Sequence, residues 1–173
     1  NMLYVRSSLE RANESRREME AVNVKLLKQS ETDQMTGLAN RYRLNDYSDK
    51  VLDYCYEHRL PLAMEILDID FFKQYNDNYG HQQGDECIIA IADELKKMED
   101  RQTFCARYGG DEFIIIYAGI SAEEVHAKAG ALRQNIMNLK LEHLYSNALP
   151  IVTISQGISY GVPEEGNRSW DFL

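Results

Sequence analysis

Asp68, Lys73, Asn76, Asp85 and the run Arg107-Tyr108-Gly109-Gly110-Asp111-Glu112-Phe113 are the residues of this chain whose types and spacing could do chemistry. Asp68 and Asp111 offer two carboxylates. Magnesium prefers octahedral oxygen ligation and is usually held by one or two carboxylates, with water and substrate phosphates completing the shell. Lys73 adds a cation, and Asn76, three residues further along the same helix face, carries an amide able to hydrogen-bond a base edge. Asp85 could accept the paired N–H donors of guanine and repel a base that presents an acceptor there. Each residue also has a plainer reading. An Asp at a strand end is most often a turn former, the reading preferred for Asp70. Lys73 alone is an exposed helix lysine, and His81 beside Gly80 is by itself a turn residue. Glu112 either points to the opposite side of its strand as a supporting residue or serves as a second ligand. His58, His126 and His143 stand in polar, helical contexts and carry no signal.

These residues need elements to hold them. Gly109-Gly110 allows the positive φ of a tight hairpin, with Thr103–Arg107 as one arm and Phe113–Tyr117 as the other. Leu62–Asp70 is an apolar run ending in two aspartates and predicts a strand buried on both faces, in which Glu65 has no evident purpose. If that strand neighbours the hairpin, Asp68 and Asp111 converge at one sheet edge. Phe71 to Tyr79 predicts a short helix ended by Gly80, and the free N–H groups of Phe71, Phe72 and Lys73 at its start can receive phosphates. A helix from Gln82 or Gln83 to Met98 turns Cys87, Ile88, Ile91, Ala92 and Leu95 inward. Leu44, Tyr47, Val51 and Tyr54 mark a helix over Arg41–His58. Ser121 caps another to about Leu139, and Pro150–Tyr160 reads as a last strand. The order implies an α+β fold with helices around a largely antiparallel sheet.

The 173 residues suffice for one core-bearing domain, and the net charge of -9 argues against a general nucleic-acid surface. Cys55, Cys87 and Cys105 are widely spaced, which suggests neither a disulfide framework nor a zinc site but buried thiols in a reducing cytosol. No apolar run reaches the roughly 18 residues of a membrane span. Met2, Val5, Leu9, Ala12, Arg16, Met19, Asn23 and Leu26 form a heptad seam with two polar positions, the mark of a weak coiled coil. The expected division is a helix over residues 1–32, continuing from an upstream sensory region, and a domain over 33–173, with Asp33–Arg41 as the hinge. Ser169-Trp170-Asp171 reads as the start of a further helix.

Four motifs in order then resemble the GGDEF-domain diguanylate cyclases: Asp33-Gln34-Met35-Thr36-Gly37-Leu38-Ala39-Asn40-Arg41, Asp68 to Asp77, Tyr79-Gly80-His81 with Gly84-Asp85, and Arg107 to Phe113. The resemblance implies a palm-like fold and the joining of two GTP into cyclic di-GMP with release of pyrophosphate. Each domain then holds one GTP, so the partner is a second copy, paired through the N-terminal helix. It further implies Mg²⁺, or Mn²⁺ in its place, on Asp68, the Ile69 carbonyl and Asp111. Asp111, Lys73 and Glu112 become the catalytic set, with Asp111 the proton acceptor. Phe71, Phe72, Lys73, Asn76, His81, Asp85, Gly109 and Gly110 become the nucleotide-binding set. The rival reading is a catalytically silent module of the same fold that binds GTP or cyclic di-GMP. Two departures stand out. The Arg-x-x-Asp product-inhibition motif of many members falls here on Asp100-Arg101-Gln102-Thr103, with neither required residue. The helix that normally closes the family's domain is not in this sequence. A cytoplasmic location follows for the fragment, with any membrane anchor lying upstream.

Overall fold

The computed structural model describes residues 11–20, 22, 23, 26 and 31–165. These fall into two units, divided along the chain between Glu31 and Thr32. In the first unit, residues 11–20, 22, 23 and 26 are helical. Of the heptad positions described there, Met19 is 66% and Leu26 is 56% exposed, and Arg16 pairs with Glu20 on the same helix. Met2, Val5, Leu9 and Ser169–Asp171 lie outside the described residues.

The second unit begins with helix α1, Arg41–His58, where Asn40 accepts a hydrogen bond from the Arg43 amide as N-cap. Its buried face is Leu44, Ser48, Val51, Leu52 and Cys55. Tyr54, expected inside, is exposed, while Tyr47 stacks on Phe104 at 3.9 Å. The apolar stripe is therefore rotated toward the positions four residues after Leu44 and Val51.

Strand β1, Leu62–Ile69, is followed by α2, Phe72–Tyr79, and α3, His81–Met98. Gly80 alone joins the two helices, with φ +85. Only a residue without a side chain turns the chain that sharply at no steric cost. Strands β2, Thr103–Gly109, and β3, Glu112–Ala118, form the hairpin. Helix α4, Ala122–Asn138, starts with a capping box between Ser121 and Glu124, and β4 is Ile154–Gly161. The last strand starts later than Pro150 because Ile151 bridges Glu142 and the Thr153 carbonyl accepts from the Asp70 amide.

The four strands lie in the order β2-β3-β1-β4, every neighbouring pair antiparallel. Alternate side chains of each strand face opposite sides. Ala63, Leu67, Ile69, Phe113, Ile115 and Tyr117 pack under α3 and α4, with Cys87, Ile88, Ile91, Leu95, Val125 and Leu132 above them. Leu62, Ala106, Ile114 and Ile116 pack on the other side against Leu44, Val51, Leu52 and Cys55 of α1. Helices thus pack on both faces of the sheet, fully on one and over part of the other.

Glu65 now has a purpose. Wholly buried among apolar neighbours, it accepts hydrogen bonds from the Tyr117 hydroxyl at 2.6 Å and the Gln156 amide at 2.7 Å. The same amide also reaches the Ala129 carbonyl at 2.9 Å. One carboxyl therefore ties β3, β1 and β4 to α4. Burial raises its pKa against the opposing pull of both hydrogen bonds. Cys55, Cys87 and Cys105 are buried and unpaired, and burial pushes the Cys87 thiol up to about 12. Among the described residues no helix is long and apolar enough to cross a membrane.

Candidate functional site

The Gly-Gly motif makes a hairpin turn in which Gly109 pairs with Glu112 and Gly110 and Asp111 form the two-residue tip. Gly110 has φ +55, a value a residue with a Cβ rarely holds. An added Cβ there would meet nothing within 4 Å, so the demand for glycine is conformational, not steric. The register slips between Arg107 and Gly109, leaving a bulge at Tyr108. That exposed tyrosine ring lies 4.4 Å beneath the Arg41 guanidinium.

β1 and β3 are neighbours, as convergence requires, and Asp68 pairs directly with Glu112. Directly opposed residues of an antiparallel pair put their side chains on one face about 5 Å apart. Glu112 is therefore on the same side as Asp68, not turned away from it. On that face α1 covers the Leu62 end and leaves Ile66 half exposed, so the Asp68 end is open. Partial burial raises the Asp68 pKa, and the charges of Asp111, Glu112 and Asp70 raise it further. Three carboxylates close enough to resist the ionisation of a fourth make a place where a cation is favoured. Among the described residues, no three His, Cys, Asp or Glu side chains form a ready-made metal cage. Magnesium needs no such cage, because phosphate and water supply most of its ligands, and this donor set fits it.

Asp70 keeps its turn role. It accepts from the Thr153 hydroxyl at 2.6 Å and the Ser155 hydroxyl at 2.5 Å, so both oxygens are engaged across the β1-β4 edge. Between the two aspartates the Ile69 side chain is 1% exposed, leaving only its backbone to face outward chemistry. Phe71 follows as N-cap of α2 with φ 56 and ψ 30 and makes no side-chain cap. Among the described residues, no side chain caps the first turn of α2. Lys73 is exposed in that turn and forms no ion pair among the described residues.

One turn later Asn76 points into the α2-α3 junction. Its Oδ1 is buried and accepts no hydrogen bond among the described residues. A Cβ on Gly84 would lie 1.8 Å from that oxygen, so Gly84 leaves the room the amide occupies. Asp85, next in the chain, is exposed, as is His81 at the start of α3. The structure therefore brings Asn76 against Gly84, with Asp85 next to it in the chain, and gathers Asp68, Asp111 and Glu112 at a sheet end, with the start of α2 joining the two groups in sequence.

Two roles were not visible in the residue pattern. Arg107 donates to the Gly110 carbonyl from Nε at 3.1 Å and Nη2 at 2.8 Å, and from Nη1 to Asp33 at 3.1 Å. Asp33 also accepts from the Thr36 amide and hydroxyl. Burial would raise its pKa, yet the bonds from Thr36 and Arg107 prevail and hold it low. The Asp33–Arg41 segment, expected as a hinge, braces the hairpin turn. The only available hint was the spacing of Asp33 and Thr36 in one loop. His143 is the second. It is not helical but fully buried in the loop after α4, with Nε2 3.1 Å from the Phe71 carbonyl. His58 and His126 are exposed helix residues, each with Nδ1 near the carbonyl four residues earlier.

A family profile described as "Diguanylate cyclase, GGDEF domain" matches residues 30–173. The diguanylate cyclase DgcP of Pseudomonas aeruginosa is 34% identical over 164 residues, covering 93% of this chain and 24% of that protein. The cyclic di-GMP phosphodiesterase NbdA of the same species is 27% identical over 164 residues, covering 94% of this chain and 20% of that protein. The chain thus spans a quarter or less of either relative. The crystal structure of the coiled coil and GGDEF domain of DgcB from Caulobacter crescentus with c-di-GMP superposes with a TM-score of 0.71. It is 30% identical, and the match covers 88% of this chain and 82% of that one.

Proposed function

Since the chain belongs to the diguanylate cyclase GGDEF-domain family, we propose that it binds GTP and condenses two molecules of it into cyclic di-GMP, releasing pyrophosphate. In the proposed reaction the 3′ hydroxyl of one nucleotide attacks the α-phosphorus of the other, the P–O bond to pyrophosphate breaks, and the hydroxyl proton leaves to Asp111. Two such steps close the ring, so two domains must face each other, each with one GTP. The exposed Met19 and Leu26 on the N-terminal helical residues supply an apolar seam through which two copies would pair.

Asp68, Asp111 and the Ile69 carbonyl would hold Mg²⁺, or Mn²⁺, with Glu112 beside them on the same face. The chemistry such an ion supplies is neutralisation of charge on the transferring phosphoryl group. Phe71, Phe72 and Lys73 receive phosphates at the start of α2. Gly109 and Gly110 let the backbone approach the nucleotide. Asn76, Asp85 and His81 take the guanine end. The observation that carries this reading is the Asn76 amide, whose buried Oδ1 lacks a partner among the described residues, on the helix that follows the acidic end of β1. Buried polar atoms are nearly always satisfied, so an orphan amide oxygen calls for an explanation, and a nucleotide that draws the amide toward its base supplies one.

A binding module without turnover is the second reading, favoured by the likeness to a protein named for cyclic di-GMP hydrolysis. Incubating the chain at high concentration with GTP and Mg²⁺, and following product by mass spectrometry beside Asp111→Ala, separates the two. Cyclic di-GMP from the unaltered chain alone supports the cyclase. GTP binding without product supports the module.

A further inference from the structure

His143 is a buried ionisable side chain that the proposed reaction does not use, yet it touches the site's backbone. The ring has no exposed surface and sits edge-on to Tyr75 at 5.1 Å and Tyr79 at 6.3 Å. Nε2 is 3.1 Å from the Phe71 carbonyl, an acceptor only, so Nε2 carries the proton. Nδ1 is then a bare acceptor, buried and without a donor among the described residues. An apolar ring would fill the same slot without stranding that nitrogen. What the imidazole adds is the bond to Phe71.

Phe71 is an unusual place to spend a hydrogen bond. It holds φ 56 and ψ 30, the left-handed region that a bulky residue seldom adopts, and its carbonyl also accepts from the Tyr75 amide at 3.0 Å. The loop bearing His143 is itself anchored, with the Leu144 amide donating to the Tyr79 hydroxyl at 3.0 Å and the His143 amide to the Pro150 carbonyl at 3.0 Å. A fixed loop thus pins the peptide group that closes the turn from β1 into α2.

We propose that His143 is a positioning residue for the phosphate-receiving turn, in which its Nε2–H holds the Phe71 carbonyl and thereby orients the Ile69 carbonyl and the Phe71 and Phe72 amides. The inference rests on the GTP-site reading above and adds a prediction that reading does not make. His143 acts on the phosphate end of the nucleotide and leaves the base end, at Asn76 and Asp85, untouched.

Two variants and two measurements test it. His143→Phe keeps the ring packing and removes the donor, whereas His143→Gln returns an N–H near the position of Nε2. In the nucleotide-free protein, ¹⁵N NMR of the imidazole is expected to show protonated Nε2 and bare Nδ1. Amide signals of Phe71, Phe72 and Lys73 are expected to move in His143→Phe, with Asp85 still, and to return in His143→Gln. By calorimetry with Mg²⁺, His143→Phe weakens GTP about fivefold to tenfold, the size of one net hydrogen bond, while guanosine binding stays unchanged. A proton on Nδ1, unmoved amides, unchanged GTP affinity, or equal loss for GTP and guanosine overturns the proposal. If the unaltered chain binds no GTP, the functional reading fails and the nucleotide-free signals still decide this one. If His143→Phe does not fold, the wild-type imidazole pattern and the His143→Gln amide signals decide it.

Discussion

The Oδ1 of Asn76 occupies the space that a side chain at Gly84 would fill, with only 1.8 Å between that oxygen and an ideal Cβ. At Gly84 the α2-α3 junction is built around an amide, with the Phe72 ring 3.3 Å from the same ideal Cβ. Gly84→Ala is therefore expected to evict the amide and weaken GTP binding about tenfold or more, as loss of a hydrogen-bonding group in a buried site does. Ala gains up to about 1 kcal/mol of helix propensity over Gly, against an overpacking cost of about 1–3 kcal/mol. The thermal midpoint should thus fall only slightly. Unchanged GTP affinity by calorimetry would remove Asn76 from the site.

Arg107 links the turn to the Asp33 loop through contacts to Gly110 and Asp33 that a lysine cannot span together. Arg107→Lys is expected to lower turnover, by up to about a hundredfold if the carboxylate at the tip moves by an ångström. Single-turnover assays should place the loss in the chemical step more than in GTP affinity.

Asp33 also predicts an acid limb. Its folded pKa lies below the ordinary value of 3.8, so the unfolded chain takes up a proton first as pH falls. The stabilisation is complete above about pH 4 and is lost as pH drops toward the folded value. Asp33→Asn should flatten that part of a stability-versus-pH curve, and an unaltered acid limb would refute the assignment.

Glu65 has the opposite sign. Burial holds its folded pKa above the ordinary 4.5, so the folded state keeps a proton that the unfolded state releases. Stability from this group is full below that value and falls as pH rises through the folded pKa. Glu65→Gln removes the slope, so its stability relative to the parent should improve from acid toward neutral pH. Glu65→Leu strands the Tyr117 hydroxyl and should cost about 1–3 kcal/mol in denaturant unfolding.

The acidic sheet end implies a trade between stability and function. Asp68→Asn removes one of the crowded charges and is expected to raise the thermal midpoint in metal-free buffer. On the proposed assignment it also cuts cyclic di-GMP formation at least about a hundredfold, the scale of losing one preorganised electrostatic group. A metal-free midpoint that falls would show that the four carboxylates are not in conflict.

Where local pattern suffices, the residues announced the structure. The Gly109-Gly110 turn, the strand ending at Asp68 and the inward face of α3 follow from periodicity and from the special φ of glycine. Asp70 as a turn former followed from its place at a strand end. What depended on distant partners did not show. Glu65 looked misplaced because its partners, Tyr117 and Gln156, are 52 and 91 residues away. Arg107 and Asp33 are 74 residues apart, and no window along the chain contains both. His143 was hidden because a histidine in a polar stretch carries no periodic signal, and only the folded loop brings it to Phe71. The side of Glu112 was open until the register paired it with Asp68.

The strand order β2-β3-β1-β4 leaves Asp68 and Glu112 on the two inner strands, and β2 and β4 at the borders. Borders fray first, and inner ladders open only with the whole domain. Amide protons near Asp68 and Glu112 should then exchange with solvent on the timescale of global unfolding, while those of the short α2 helix exchange sooner. On the proposed assignment the acidic end of the site is thereby a stationary anvil, and adaptation to an incoming nucleotide would fall to the helix that carries Lys73 and Asn76.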